Sequence, residues 1–196
     1  LGGENLTRED VQAIVEDTFY LPYANSKMEQ NMLESAKKSV DMYFEKNKAD
    51  FKNIEMAEAD IELDMGDGVK VNGRIDLVKH REISGEEKIT IVDFKTADRD
   101  VTQCLEAEQL KIYALGYQEL TGKSADYLEI LNLDKVESER VRVTEGLTET
   151  VAKDIRNAAQ NIRENKLDRK CSKEKCSACY LNYLCLSKEE KKTYVE

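Results

Sequence analysis

Between Met56 and Lys95 the chain carries three short apolar runs cut by two turn signals, and no other stretch restricts the fold as much. Residues 56–65 alternate, with Met56, Glu58, Asp60, Glu62 and Asp64 set against Ala57, Ala59, Ile61 and Leu63. Successive strand residues point to opposite faces, so this is the signature of a half-buried strand. Gly66-Asp67-Gly68 supplies a turn, and Val69 to Val78 returns as the hairpin partner. Ser84-Gly85-Glu86-Glu87 makes a second turn into a strand from Lys88 to Phe94.

Helical signals flank this meander. Thr7-Arg8-Glu9-Asp10 reads as a helix start, with a hydroxyl cap and acids in the first turn. Val11, Ile14, Val15 and Phe19 mark its apolar face, and Pro22 ends it. A longer helix from about Ser26 to Lys46 is expected to turn Met28, Met32, Leu33, Ala36, Val40 and Tyr43 inward as core. After the third strand, a helix from about Gln103 to Leu120 buries Leu110, Tyr113, Ala114 and Tyr117. Strands at Tyr127 to Leu133 and Arg140 to Val143 follow, then a helix from Thr148 to about Asn165. The order α-α-β-β-β-α-β-β-α predicts an α/β (α+β) fold with a mixed central sheet flanked by helices.

At 196 residues the chain fits one domain, or one domain with a small appendage. We divide it into a helical N-terminal part at 1–50, a core at 51–169 and a Cys-rich tail at 170–196. The first residue is Leu1 rather than Met, which leads us to expect a piece of something larger. No apolar run approaches a membrane span, and no signal-peptide pattern opens the chain, so no membrane partner is expected. The net charge of −10 argues against strong independent binding to nucleic acid, whose affinity comes mostly from phosphate contacts.

Chemistry concentrates at two strand segments, Gly73-Arg74-Ile75-Asp76 and Ile91-Val92-Asp93-Phe94-Lys95. Asp93 and Lys95 are two apart and project to one face. If the strands are neighbours, Asp76 joins them. Two carboxylates about 4 Å apart repel by roughly 4 kcal/mol at an effective dielectric near 20. Such a pair calls for a divalent cation, and a lysine beside it suits the charge of a phosphodiester transition state. Gln109 and Tyr113 are four apart and share a helix face that an adjoining sheet would turn toward the same spot. The plainer alternative makes Tyr113 core and Gln109 a solvated neighbour.

The tail carries Cys171, Cys176, Cys179 and Cys185 spaced as C-x4-C-x2-C-x5-C. Clustered cysteines in a chain of this size fit a reducing compartment and a four-thiolate metal site better than a disulfide scaffold. Zinc and a [4Fe–4S] cluster both accept four cysteines, and spacing leaves the choice open. Cys104 stands apart and is expected to be unligated.

Gly-Arg-Ile-Asp, then Val-Asp-Phe-Lys-Thr, then Gln-Leu-Lys-Ile-Tyr resembles the PD-(D/E)XK nuclease superfamily, and most closely its RecB-type branch. The likeness covers nearly the whole chain. It implies a restriction-endonuclease-like core in which Asp76 and Asp93 hold Mg²⁺ or Mn²⁺, with the backbone carbonyl of Phe94 as a further ligand. Lys95 would orient the attacking water and stabilise developing charge, with Gln109 and Tyr113 supporting the site. Glu58 matches an acid upstream of the first hairpin, although a solvated charge on an alternating strand explains it equally. The branch also has a metal-binding histidine on a preceding helix. His80, in Lys79-His80-Arg81, reads instead as a surface residue, so that histidine is expected upstream of Leu1. The C-x2-C-x5-C part resembles the cluster ligands of iron–sulfur members, whose fourth cysteine comes from the N-terminal side; Cys171 is the candidate here.

The resemblance implies a metal-dependent deoxyribonuclease, an exonuclease, forming part of an ATP-dependent helicase–nuclease in DNA repair and recombination in the bacterial cytoplasm. A linked helicase domain or partner subunit would deliver single-stranded DNA. Two other readings stand beside it. One is a non-catalytic nuclease-fold DNA-binding module of a helicase complex; the other is a zinc-ribbon interaction domain on an unrelated α/β body.

Overall fold

A computed structural model describes residues 6–96, 108–169, 171–177 and 179–195. Helix α1 (Arg8–Thr18) starts as the capping pattern requires: Thr7 accepts from the Asp10 amide, and the Asp10 carboxylate accepts from the Thr7 amide. Helix α2 (Ser26–Asn47) is capped by the Asn25 side chain and runs into a 3₁₀ turn, Lys48–Asn53. The strands are β1 (Ile54–Asp64), β2 (Lys70–Ile83) and β3 (Glu86–Lys95). Helix α3 (Glu108–Thr121), β4 (Tyr127–Asn132), β5 (Glu137–Arg142) and α4 (Leu147–Arg163) follow. This is the expected element order. The five strands form one sheet in the order β1-β2-β3-β4-β5, with β3–β4 parallel and the other pairs antiparallel. Among the described residues, no helix is long and apolar enough to cross a membrane.

Helix α3 covers one face of the sheet. Its Leu110, Tyr113, Ala114 and Tyr117 pack on Ile61, Ile75, Val78, Ile91, Leu128 and Ile130. Residues 103–107 of the expected helix lie outside the described residues. A Cβ at Gly116 would stand 2.4 Å from Ile61 Cδ1, so the missing side chain is what lets α3 approach β1. On the opposite face, Tyr43 meets Phe94 edge-on at 5.4 Å, over Leu77, Val92 and Leu131. Helix α4 seats Val151 against Leu63 and Leu115.

The first half of α2 departs from its expected role. Met28 and Met32 are about half exposed, and Phe44 is the buried residue of this helix. The aromatic end of α2 reaches the sheet, whereas the preceding turns face α1 through polar contacts. Arg8 pairs with Asp41, Lys37 with Glu16, and Gln12 donates to the Lys37 carbonyl. Ile14, expected on the apolar face of α1, is likewise exposed.

The simple alternation expected for β1 also breaks. Ala59 and Ile61 pack toward α3, but so does Met56, which strict alternation places with the acids. The face reverses around Glu58, whose φ of +50° is a left-handed conformation inside a strand. In β2 the same reversal separates Ile75 from Val78. Ala57 pairs with Leu77 and Ala59 with Ile75, which sets Glu58 level with Asp76.

The chain divides into two compact units, the first ending at Arg156 and the second starting at Asn157. The second holds the end of α4 and three short helices, α5 (Lys173–Ser177), α6 (Asn182–Cys185) and α7 (Lys188–Tyr194). Arg169 fastens it internally, bonding Glu190 and the Cys185 carbonyl.

Candidate active site

The site forms where the sheet forks. The β2–β3 ladder runs from Ile83–Glu86 to Leu77–Val92 and stops there. Beyond that pair β2 continues along β1, while Asp93, Phe94 and Lys95 continue along Ile130, Leu131 and Asn132 of β4. Asp76 and Asp93 are the first residues past the last rung. The Phe94 amide takes the Asp76 carboxylate as its acceptor, at 2.8 Å from Oδ2.

Asp93 is buried, and Lys95 Nζ lies 2.7 Å from its Oδ2. That approach is an ion pair without hydrogen-bond alignment, so Oδ2 keeps no aligned donor. Lys95 also donates to Gln109 Oε1 at 3.3 Å, and Gln109 Nε2 donates to the Tyr113 hydroxyl at 2.6 Å. Asp93, Lys95, Gln109 and Tyr113 are therefore linked in series. Tyr113 is at once core and part of this chain, and Gln109 is exposed at its end. Gly73 makes room for the ring: a Cβ there would meet Tyr113 Cε1 at 3.3 Å. A side chain at the glycine of Gly-Arg-Ile-Asp would thus press on the tyrosine forty residues on.

Burial pushes the Asp93 carboxyl above its ordinary range; Lys95 opposes this and the Asp76 charge reinforces it. An acid whose folded pKa is raised binds more protons folded than unfolded, so its penalty is absent below the ordinary carboxylate pKa. The penalty grows as pH rises through the folded value. Asp93→Asn is accordingly expected to raise the melting temperature of the metal-free chain at neutral pH, with the gain vanishing in acid. Melts across that range that show no gain at neutral pH would contradict this account of the site.

Two carboxylates at one fork, one of them buried and facing an ammonium, suit a divalent cation. Among the described residues no three His, Cys, Asp or Glu side chains gather as a metal shell. Glu58 is solvent-exposed and lies 3.5 Å from Arg74 Nη1. Phe94 sits between the two charged residues, with its ring on the α2 face. His80 is not the surface residue expected. Its side chain is only 25% exposed, with Nε2 at 2.9 Å from Glu55 and Nδ1 at 3.4 Å from Glu87. The cause is a register shift between Ile54 and Met56, beside which Glu55 also accepts from the Tyr117 hydroxyl.

In the second unit all four tail cysteines are free thiols. Cys171 is raised by burial and by the neighbouring thiols of Cys176 and Cys185. Cys176 is buried, and Cys179 and Cys185 are exposed. The donor chemistry suits a thiophilic metal, and Cys171 lies beside Cys176, but the described thiols are not gathered into a metal shell. Cys104 lies outside the described residues.

Sequence reasoning missed a buried ionic group on the α2 face. Lys79 and Glu129 are each 1% exposed, and Arg81 donates to Glu129 Oε1 at 3.0 Å. A charged residue at an inward position of an apolar strand is the signal that marks both.

No curated protein matches the chain. Among solved structures, the crystal structure of SSO0001 aligns at 15% identity and a TM-score of 0.45, covering 91% of this chain and 93% of that one. The family model of the PD-(D/E)XK nuclease superfamily matches residues 3–186. With the fold a mixed sheet flanked by helices and the match spanning nearly its whole length, the chain belongs to the PD-(D/E)XK nuclease superfamily.

Proposed function

We propose that the chain is a metal-dependent DNA nuclease domain. The observation that carries this reading is the fork itself, where Asp76 and Asp93 stand together with Lys95 against the buried acid. Asp76 and Asp93 would hold Mg²⁺ or Mn²⁺, with the Phe94 carbonyl as a further donor. The ion, when bound, supplies an activated water and neutralises the departing 3′ oxygen. Lys95 then orients the nucleophile and faces the negative charge that builds on the phosphorus oxygens. Gln109 holds the lysine ammonium in place, and Tyr113 holds Gln109.

The motif likeness to the RecB-type branch supports the finer proposal. The domain would act as an exonuclease beside an ATP-dependent helicase, in repair or recombination in the bacterial cytoplasm, on single strands the helicase delivers. A net charge of −10 suits a site that receives its strand from elsewhere. Cys171, Cys176, Cys179 and Cys185 would hold a [4Fe–4S] cluster or zinc that staples the tail. Iron and zinc analysis of the purified chain separates the two.

Family membership removes the reading as a zinc-ribbon protein with an unrelated body. A non-catalytic DNA-binding module remains the second reading, favoured by the two-carboxylate site. The test is incubation of the chain with labelled single-stranded DNA in magnesium, in manganese and in chelator. Cleavage in either metal that chelator abolishes supports the enzyme, whereas binding without cleavage supports the module.

A further inference from the structure

We propose that Arg74 grips a substrate phosphate, and that Glu58 and Asp60 park it until a strand arrives; this rests on the nuclease reading above. Arg74 lies two residues before Asp76 on β2, roughly 7 Å along the strand at ordinary strand rise. Its Nε donates to Asp60 Oδ1 at 2.9 Å, directly across the ladder. The Nη1 end turns toward Glu58, the residue level with Asp76, at 3.5 Å. The guanidinium therefore reaches from its own rung to the row that carries the acids of the fork.

The strength of these contacts decides the assignment. The Arg74, Glu58 and Asp60 side chains are 59%, 66% and 79% exposed. Pairs this solvated contribute on the order of 0–1 kcal/mol, so a competing anion displaces them at little cost. A guanidinium matches a phosphate with two parallel hydrogen bonds, and desolvation at a protein–strand interface strengthens them. Lys95, by contrast, is committed to Asp93 and Gln109. The backbone agrees. Glu58 holds a φ of +50° within a strand, a conformation that persists where the surroundings impose it. Glu58 and Asp60, two apart on β1, share one face, so both carboxylates stand beside Arg74. Parked on Glu58 and Asp60, the guanidinium stays open to solvent. Release of Glu58 by an arriving phosphate also leaves a third carboxylate level with Asp76, about one strand spacing away.

The experiment compares wild type, Arg74→Ala and Arg74→Lys for binding to a labelled oligothymidylate strand in calcium, across a salt series. Cleavage kinetics in magnesium accompany it. Arg74→Ala is expected to weaken binding about tenfold and to flatten the slope of log affinity against log salt by roughly 0.7, the share of one single-strand phosphate. KM is expected to rise with kcat within about twofold, and Arg74→Lys to restore the slope but only part of the affinity. A role confined to bracing β1 against β2 would leave the salt slope unchanged. Cleavage-competent wild type with the same slope and KM in Arg74→Ala overturns this proposal alone. Wild type that neither binds nor cleaves the strand overturns the nuclease reading along with it.

Discussion

Asp93→Ala and Lys95→Ala are each expected to bring metal-dependent cleavage to background, a loss of at least about 10²–10³ in kcat on the scale set by removal of one preorganised charge stabiliser. The two losses differ in origin. Asp93→Ala would remove a donor from the proposed cation site and leave Lys95 with Gln109 as its described hydrogen-bond partner. Lys95→Ala removes the ammonium that lies 2.7 Å from a buried carboxylate already raised by burial. Without that ammonium Asp93 shifts further toward its neutral form, so the variant should bind metal less well and its residual activity should rise toward alkaline pH. Lys95→Arg keeps the charge but not the compact fit to Gln109, and is expected to fall between. Single-turnover assays at saturating metal separate the contributions. Wild-type rates in both alanine variants would remove Asp93 and Lys95 from the chemistry.

Glu129→Ala should destabilise the fold by about 3–5 kcal/mol, the cost of breaking a buried ionic group by removing one partner. Glu129 is 1% exposed and accepts from Arg81, and its charge supports Lys79 at the same depth. Burial holds the Lys79 ammonium below its ordinary pKa, and the nearby Glu129 charge is the main force opposing that. The same group surrounds Tyr43, whose hydroxyl is pushed up to about 12 by burial first and by Glu129 second. With Glu129 gone, Lys79 and Arg81 lose the carboxylate they share, and the Asp50 charge is the further support that Lys79 keeps. Urea unfolding reads this as a lower midpoint at unchanged slope. Replacing Lys79, Arg81 and Glu129 together by apolar residues of similar volume should recover most of the loss, because the unpaired charge and not the missing contact is the cost. An alanine variant within about 0.5 kcal/mol of wild type would show that water already reaches the group.

Much of the fold was legible because its elements obey short-range rules. Thr7 and Asp10 cap α1 as their spacing requires, and the turn at Gly66-Asp67-Gly68 makes the hairpin. The pairing of Asp93 with Lys95 and of Gln109 with Tyr113 follows from strand and helix periods alone. What sequence did not disclose depends on tertiary partners. Met28 and Met32 have helical spacing, but whether that face is covered depends on where α2 meets the sheet. The reversal at Glu58 and the shift at Glu55 violate alternation, and no local residue announces either. His80 reads as a surface residue until the shift at Glu55 supplies its partner. The hydrogen bond from Phe94 to Asp76 exists only because a ladder ends, which is a property of two strands together.

That ended ladder has a consequence for how an ion would be met. A free aspartate samples several carboxylate orientations and must surrender them on coordination. Asp76 has already surrendered them, since Oδ2 is tied to the Phe94 amide and the carboxylate plane is set during folding. With Oδ2 so engaged, Oδ1 would be the freer donor, and coordination would cost Asp76 less torsional freedom than it costs a free aspartate. The fork thus acts as a preset socket, its ordering entropy spent before any ligand arrives.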